Sequence, residues 1–406
     1  MTDEGADRLP CVVVAHDRYR QPGGEDAVVN AEVALLKRKG HRVVVYERHN
    51  DDIVGMNAGS VAVQTLWSRR TVRDITRVLA ESGADLLHVH NMFPLVSPSI
   101  YWGADRVGVP VVQTLHNFRL LCPQAMLLRD GKVCEECVGR LPWRGAVRGC
   151  YDGSWPKSTV LAGMLALHRG IGTWRSKVTR YIALNDFCRN KLIAGGLPAE
   201  RIAVKPNFVD IDAPQGGGRE GFLFVGRLSP EKGVATLIEA SSRLPEARVR
   251  IAGSGPELGR VQQHASPSLQ VLGPLASQAV QDEMSRAIAL VTPSICYDAF
   301  PITLLEAFAC GLPVIASRLG ALPALIQDGV SGLLFEPGNA ADLERKMRWA
   351  LTHRDEMAAM GRNARARYEL NYTPERNYAQ LMAIYHEALR ADGRAQPAGI
   401  THGGAI

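Results

Sequence analysis

The sequence has no apolar run of 18 residues, and no positively charged segment leads into an apolar core near its start. That leaves no candidate for a membrane-spanning helix or a secretory leader, and a cytoplasmic protein is the expectation. Low-complexity sequence is confined to the ends. The first eight residues and the stretch from about Asp392 are polar and glycine-rich and are expected to be flexible. RNP-type aromatic motifs and paired zinc-finger signatures are missing too, so the common nucleic-acid-binding modules find no support. What is present is ordinary globular material: 406 residues, 46% hydrophobic and 22% charged, long enough for two domains of about 200 residues each. The net charge of +6 is unevenly placed, since Ser99–Lys205 holds 16 Lys and Arg against 7 Asp and Glu while the remainder holds 31 against 34. A basic belt of this kind suits anionic lipid, a phosphorylated acceptor or nucleic acid, and scattered solvated charge explains it equally well.

The chain is organised around Tyr297–Gly311, YDAFPITLLEAFACG, which follows a short apolar strand, Ala289–Val291. Pro301 fits the first position of a new helix, where its missing N–H costs nothing, and Ile302–Cys310 reads as that helix up to Gly311. Asp298 therefore lies before the helix and Glu306 inside it. The free N–H groups and positive end of the helix dipole suit a polar, anionic ligand at the strand's carboxyl edge. Carboxylates accept paired hydrogen bonds from hydroxyls, so one acid can hold a sugar and the other a ribose. A capped, buried helix with Glu306 salt-bridged elsewhere accounts for the same residues. Upstream, GFLFVGRLSPEKG runs a buried strand into a turn with Gly226, Arg227 and Lys232, and RIAGSGPE does the same with Gly253 and Gly255. Such turns let backbone amides approach phosphate closely, and the two cations add charge.

In order and spacing these motifs resemble the retaining glycosyltransferases of family 4, with their Gly-Arg-x-x-x-x-Lys-Gly loop and Glu-x7-Glu signature, over nearly the whole chain. The resemblance implies an α/β GT-B fold, two Rossmann-like doubly wound domains facing across a cleft. Residues 1–209 would form the acceptor-side domain with a Cys-rich insertion at 117–156, and 210–372 the domain binding a nucleoside diphosphate sugar. A helix at 373–392 would cross back to the first domain, and 393–406 would be a flexible tail. Arg227 and Lys232 would neutralise the diphosphate without a metal, Glu306 would hold the ribose, and Asp298 with the amides of Phe300 and Ile302 would hold the sugar. Gly23 and Gly24 match the family's glycine pair beside the donor. His116, in Thr114-Leu115-His116-Asn117 at the end of strand Val111–Leu115, matches its sugar- or acceptor-contacting histidine. Four departures stand out: Asp298 in place of glutamate, Pro301 where glycine is frequent, removing an amide donor, Ala321 where a second glycine is common, and Phe208 for glycine in the inter-domain turn Pro206–Asp210.

The first half reads as strand Leu9–Ala15, a loop His16–Asp26, a helix with Val29, Val33 and Leu36 on one face, strand His41–Glu47, helix Thr71–Glu81 and strand Leu86–His90. His88 and His90 alternate along that strand and are expected to face opposite ways, sharing no ligand. From Asn117 to about Pro156 no periodic element is evident, but Cys122, Cys134, Cys137 and Cys150 fall there with spacing C-x11-C-x2-C-x12-C. Four thiolates with one CxxC pair suffice for a tetrahedral structural zinc, while plain buried or redox-active cysteines are the alternatives. Trp143, Arg144, Arg148, Trp155 and Lys157 in the same interval suit peripheral contact with anionic membrane at its inner face, or an acceptor groove. Gly216-Gly217-Gly218 reads as the hinge.

The expectation is thus a retaining transfer of sugar to a sugar or lipid-linked acceptor in polysaccharide or glycoconjugate synthesis, with no nucleic-acid partner. Rival readings are a GT-B nucleotide-sugar epimerase, which needs no acceptor, a zinc-stabilised nucleic-acid-binding module, and a silent sugar-binding subunit.

Overall fold

The computed structural model describes residues 8–20, 23–212 and 218–391. Gly216, Gly217 and the expected tail 393–406 lie outside the described residues, as do most of the first eight.

The first half builds β1 (Val12–Arg18), β2 (Val43–His49), β3 (Leu86–Val89), β4 (Val111–Leu115), a small hairpin of β5 (Leu128–Arg129) and β6 (Lys132–Val133), then β7 (Arg180–Ala183) and β8 (Ile202–Val204). The second supplies β9 (Phe222–Val225), β10 (Val249–Ala252), β11 (Leu269–Gly273), β12 (Ala289–Thr292), β13 (Val314–Ser317) and β14 (Gly332–Phe335). They form two six-stranded sheets, ordered β2-β1-β3-β4-β7-β8 and β11-β10-β9-β12-β13-β14. Pairing within each sheet is parallel. The near-continuous apolar runs at Val12–Ala15 and Val111–Leu115 are buried throughout, as strands covered on both faces must be.

In each sheet the strand order reverses beside the first strand of its half, between β1 and β3 and between β9 and β12. A ligand crevice opens at such a reversal, outside the carboxyl ends of the strands. The glycine turn after β9 and the Asp298 loop after β12 flank the second reversal. The last helix, Pro374–Ala391, packs on the first sheet, with Leu381, Ile384 and Tyr385 against Val12, Val14, Leu86 and Val112.

β1 begins three residues later than the apolar run suggests and carries His16 and Asp17 inside. His16 Nε2 lies 2.9 Å from Asp26 Oδ1, and Asp17 Oδ2 accepts from the Leu95 amide at 2.7 Å, while Asp17 Oδ1 is buried with no partner among the described residues. The interval 117–156 is not structureless, for it holds the β5–β6 hairpin, helix Trp143–Val147 and the start of helix Trp155–Gly170. Helix Arg354–Asn371 is an element that periodicity missed. Gly361 in its middle lets it lie on Gly311, whose carbonyl would be 2.4 Å from an added Cβ.

Candidate active site

At the carboxyl edge of the second sheet, Lys232 Nζ sits 2.5 Å from Asp298 Oδ1. The second oxygen, Asp298 Oδ2, is buried with no hydrogen-bond partner among the described residues. Ser294 Oγ, just after β12, and Ser317 Oγ, at the end of β13, are likewise buried and unsatisfied. Unpaired buried acceptors cost about 1–3 kcal/mol each, so three along one edge mark a place built for a polar guest. Burial pulls the Lys232 ammonium down, but the Asp298 carboxylate holds it above its ordinary value, so it remains a cation. Arg227 is exposed, and its guanidinium has no partner among the described residues.

Pro301 stands one residue earlier than expected, at the cap of helix Ile302–Ala309 with φ −67° and ψ 120°. The helix amides therefore begin at Ile302. Phe300 is buried and packs edge-on against Tyr372 at 5.9 Å, which anchors the loop carrying Asp298. Glu306 is half-buried one turn further on, its carboxylate unpaired among the described residues, and burial raises it above the usual carboxylate range.

The glycine turns differ from the expectation in what they approach. The Gly226 and Gly253 amides donate to Ala252 O at 3.1 Å and Gly273 O at 2.8 Å, so neither N–H is left for a phosphate. A Cβ on Gly253 would stand 1.9 Å from Gly226 O, and one on Gly255 2.4 Å from Leu228 O. These glycines let the two turns pack backbone to backbone. They shape the cradle's floor.

Across the cleft, the Gly23 amide donates to Asp26 Oδ2 at 2.9 Å, and a Cβ on Gly24 would lie 3.5 Å from Ile302 Cγ1. Asn185 Nδ2 also reaches over to Ala299 O at 2.6 Å. The glycine pair and the Asp298–Glu306 segment thus meet at one cleft. Beside Gly24, Glu25 accepts the Tyr19 hydroxyl at 2.9 Å, and burial pushes its carboxyl up to about 7.

His116 lies just past the carboxyl end of β4, with its Nε2 2.9 Å from His90 Nδ1 and the two rings stacked. Burial and the neighbouring His90 hold it well below the ordinary imidazole range, so it is neutral at pH 7. The expectation for His88 and His90 fails. β3 ends at Val89, so His90 escapes the strand alternation, and the two rings come within 4.3 Å. Both face Glu32 Oε1, His88 Nδ1 at 3.0 Å and His90 Nε2 at 3.3 Å. Glu32 also accepts from Lys205 Nζ at 3.0 Å, and that ammonium donates to Asn377 on the last helix at 3.1 Å.

Glu32, His88 and His90 have the separations of a three-ligand metal site. The chemistry argues against it. Lys205 already compensates the carboxylate, and both nitrogens of His88 are engaged, by Tyr385 Oη and Thr114 Oγ1 at 2.8 Å each. One Asp-x-Asp does occur, Asp210-Ile211-Asp212, but it lies at the domain crossing, where Asp210 is exposed and paired with Arg38 at 2.8 Å. The sequence reading also passed over Glu135, which accepts from Tyr297 Oη at 2.8 Å and Lys191 Nζ at 2.6 Å. Its placement inside the CxxC pair was the available signal.

Two doubly wound domains meeting at switch-point loops, with a cation–carboxylate pair at a helix N-terminus, define the GT-B class of protein. Solved structures agree on the fold. The chain superposes on sucrose-phosphate synthase from Thermosynechococcus elongatus with TM-score 0.72 at 17% identity, over 94% of this chain and 100% of that one. With Anabaena Alr3699/HepE, solved in complex with UDP and glucose, the TM-score is 0.66 at 18% identity, over 92% and 99%. By sequence, residues 22–213 match Glycosyltransferase Family 4 and residues 212–367 match Glycosyl transferases group 1. The phosphatidyl-myo-inositol mannosyltransferase of Mycolicibacterium smegmatis is 30% identical over 414 residues, covering 93% of this chain and 94% of that protein. The match to the D-inositol 3-phosphate glycosyltransferase of Geodermatophilus obscurus is 29% identical and spans about half of each, 50% of this chain and 52% of that relative. The chain belongs to the family 4 glycosyltransferases.

Proposed function

We propose that the protein transfers a sugar from a nucleoside diphosphate sugar to an acceptor hydroxyl with retention of anomeric configuration, in the building of a polysaccharide or other glycoconjugate. The observation that carries this reading is the Lys232–Asp298 pair at the sheet's switch point, with Asp298 Oδ2 buried and unpartnered among the described residues. Breaking the anomeric bond leaves negative charge on the diphosphate. Lys232 and the exposed Arg227 neutralise it, aided by the N-terminus of helix Ile302–Ala309, so that charge develops where fixed positive groups already stand. Lys232 is shared, since one oxygen of Asp298 holds it while the other is free to accept a sugar hydroxyl. Glu306 takes the ribose hydroxyls. His116, neutral and leaning on His90, orients a hydroxyl at the opposite wall. Chemistry on this plan needs no donor metal.

The acceptor is a sugar or a lipid-linked polyol presented at the inner face of a membrane. Leu141, Trp143, Val147 and Trp155 are each about 60% exposed, among Arg144, Arg148 and Lys157. No helix among the described residues is long and apolar enough to cross a bilayer, so contact there would be peripheral, through indoles and cations. The test is product analysis by NMR with the donor found to bind: an axial donor should give an axial product, and donor supplied alone should give no epimer. An inverted product, or epimer without acceptor, contradicts the proposal.

A further inference from the structure

The Cys-rich interval has too little core to hold its own shape, its regular structure being two two-residue strands and a five-residue helix before Trp155. Yet backbone bonds bring its cysteines to one place. The Cys134 amide donates to Leu127 O at 2.7 Å behind the β5–β6 hairpin, and the Cys150 amide to Gly145 O at 3.0 Å after helix Trp143–Val147. All four of Cys122, Cys134, Cys137 and Cys150 are free thiols lining one cavity of about 20 Å³. That is room for about one water-sized sphere. Arg129, Arg144 and Arg148 border the same cavity.

We propose that these four thiols bind a single zinc ion as a tetrathiolate, and that the ion holds Glu135 in its bridge from the insertion to Tyr297, next to Asp298. Zinc favours four thiolate ligands in a closed structural site, and such a complex carries a net charge of −2 that the surrounding guanidinium groups offset. Binding releases four protons as four S–H bonds are replaced by Zn–S bonds, with no change of oxidation state. The sulfurs do not yet stand at the mutual separations of a closed site, which the Glu32, His88, His90 group alone shows among the described residues. Closure on the ion requires the thiols to turn inward. Glu135, between Cys134 and Cys137, accepts from Tyr297 Oη at 2.8 Å, so the clamp acts on the residue preceding Asp298.

The test uses the full chain expressed in zinc-supplemented medium. Elemental analysis is expected to find one zinc per chain, and cobalt exchange to give the intense thiolate-to-cobalt and tetrahedral ligand-field bands of an S4 site. A Cys134→Ser/Cys137→Ser variant should lose both signals. Chelation of the wild-type protein should speed hydrogen exchange across residues 128–150, and Glu135→Gln should retain one zinc while loosening the Tyr297 loop. Zinc below about a tenth per chain with no cobalt spectrum after reconstitution overturns the site, as does a brown, iron-bearing protein. Exchange across 128–150 indifferent to chelation overturns the clamp. Because wild-type stoichiometry is read directly, a misfolded cysteine variant leaves the test intact.

Discussion

Replacing Lys205 by Met tests how the last helix is tied to the first domain. Lys205 and Glu32 are each 1% exposed and 3.0 Å apart, and the same ammonium reaches Asn377 on helix Pro374–Ala391. At 3.0 Å and an effective dielectric of about 20, the attraction is roughly 5 kcal/mol, and removing one partner of a buried pair typically costs about 3–5 kcal/mol because the other charge is stranded. That is a large part of an ordinary domain's 5–15 kcal/mol or so. Burial would raise Glu32, but Lys205 first and then His88 hold it well below the carboxylate range. In the wild type this depressed group adds stability above the unfolded carboxylate pKa. Without Lys205 its folded pKa rises above the unfolded value, the folded state binds the extra proton, and stability falls as pH rises. Urea denaturation should therefore show a cost of about 3–5 kcal/mol at pH 8 that shrinks at pH 5.5. Glu32→Gln/Lys205→Met should recover most of the loss, since no charge is then stranded. A single variant within about 1 kcal/mol of wild type, or a double variant as unstable as the single, would refute the charge argument and leave packing as the role of Lys205.

Glu25→Gln should stabilise the protein increasingly as pH is raised from about 5 to 8. Its carboxyl is pushed up to about 7 by burial, so up to that pH the folded state holds a proton the unfolded chain has already released, and the wild type loses stability as pH rises. Melting curves at both ends check the sign. Gly253→Ala should cost about 3 kcal/mol or more, because its Cβ would stand 1.9 Å from Gly226 O at φ 147°. It should weaken nucleotide binding as well, by displacing the Arg227 turn. Trp143→Ser/Trp155→Ser should reduce co-sedimentation with anionic liposomes at low salt without changing Tm by more than about 2 °C, as both indoles are 60% exposed.

Much of this was readable in the chain because it rests on local chemistry. The strand–glycine turn–helix order, Pro301 at a helix start and the heptad-like apolar faces each follow from nearest neighbours in sequence. What escaped rests on tertiary partners. His16 and Asp17 sit in a strand where Asp26 partners the imidazole and the Leu95 amide donates to one oxygen of Asp17, which no hydropathy pattern reports. His88 and His90 converge because β3 stops between them, and strand ends are the least legible feature of a sequence. Gly253 and Gly255 carry a visible glycine signal, but the close approach they permit here is to the neighbouring turn, at Gly226 O and Leu228 O. Ser294 and Ser317 carry no sequence signal at all, being ordinary residues made notable by burial without a partner.

The most direct measurement of the central claim is a thermal-shift series with UDP, GDP, ADP and their sugars, on the wild type and on Lys232→Ala. A ligand bound to the native state at about 100 times its Kd adds about 2.7 kcal/mol, or roughly 5–10 °C for a domain of this size. The account predicts a shift of that order for one nucleotide family, largely lost when Lys232 no longer faces the diphosphate beside Asp298. No shift with any nucleotide, or a shift that Lys232→Ala leaves unchanged, would contradict it.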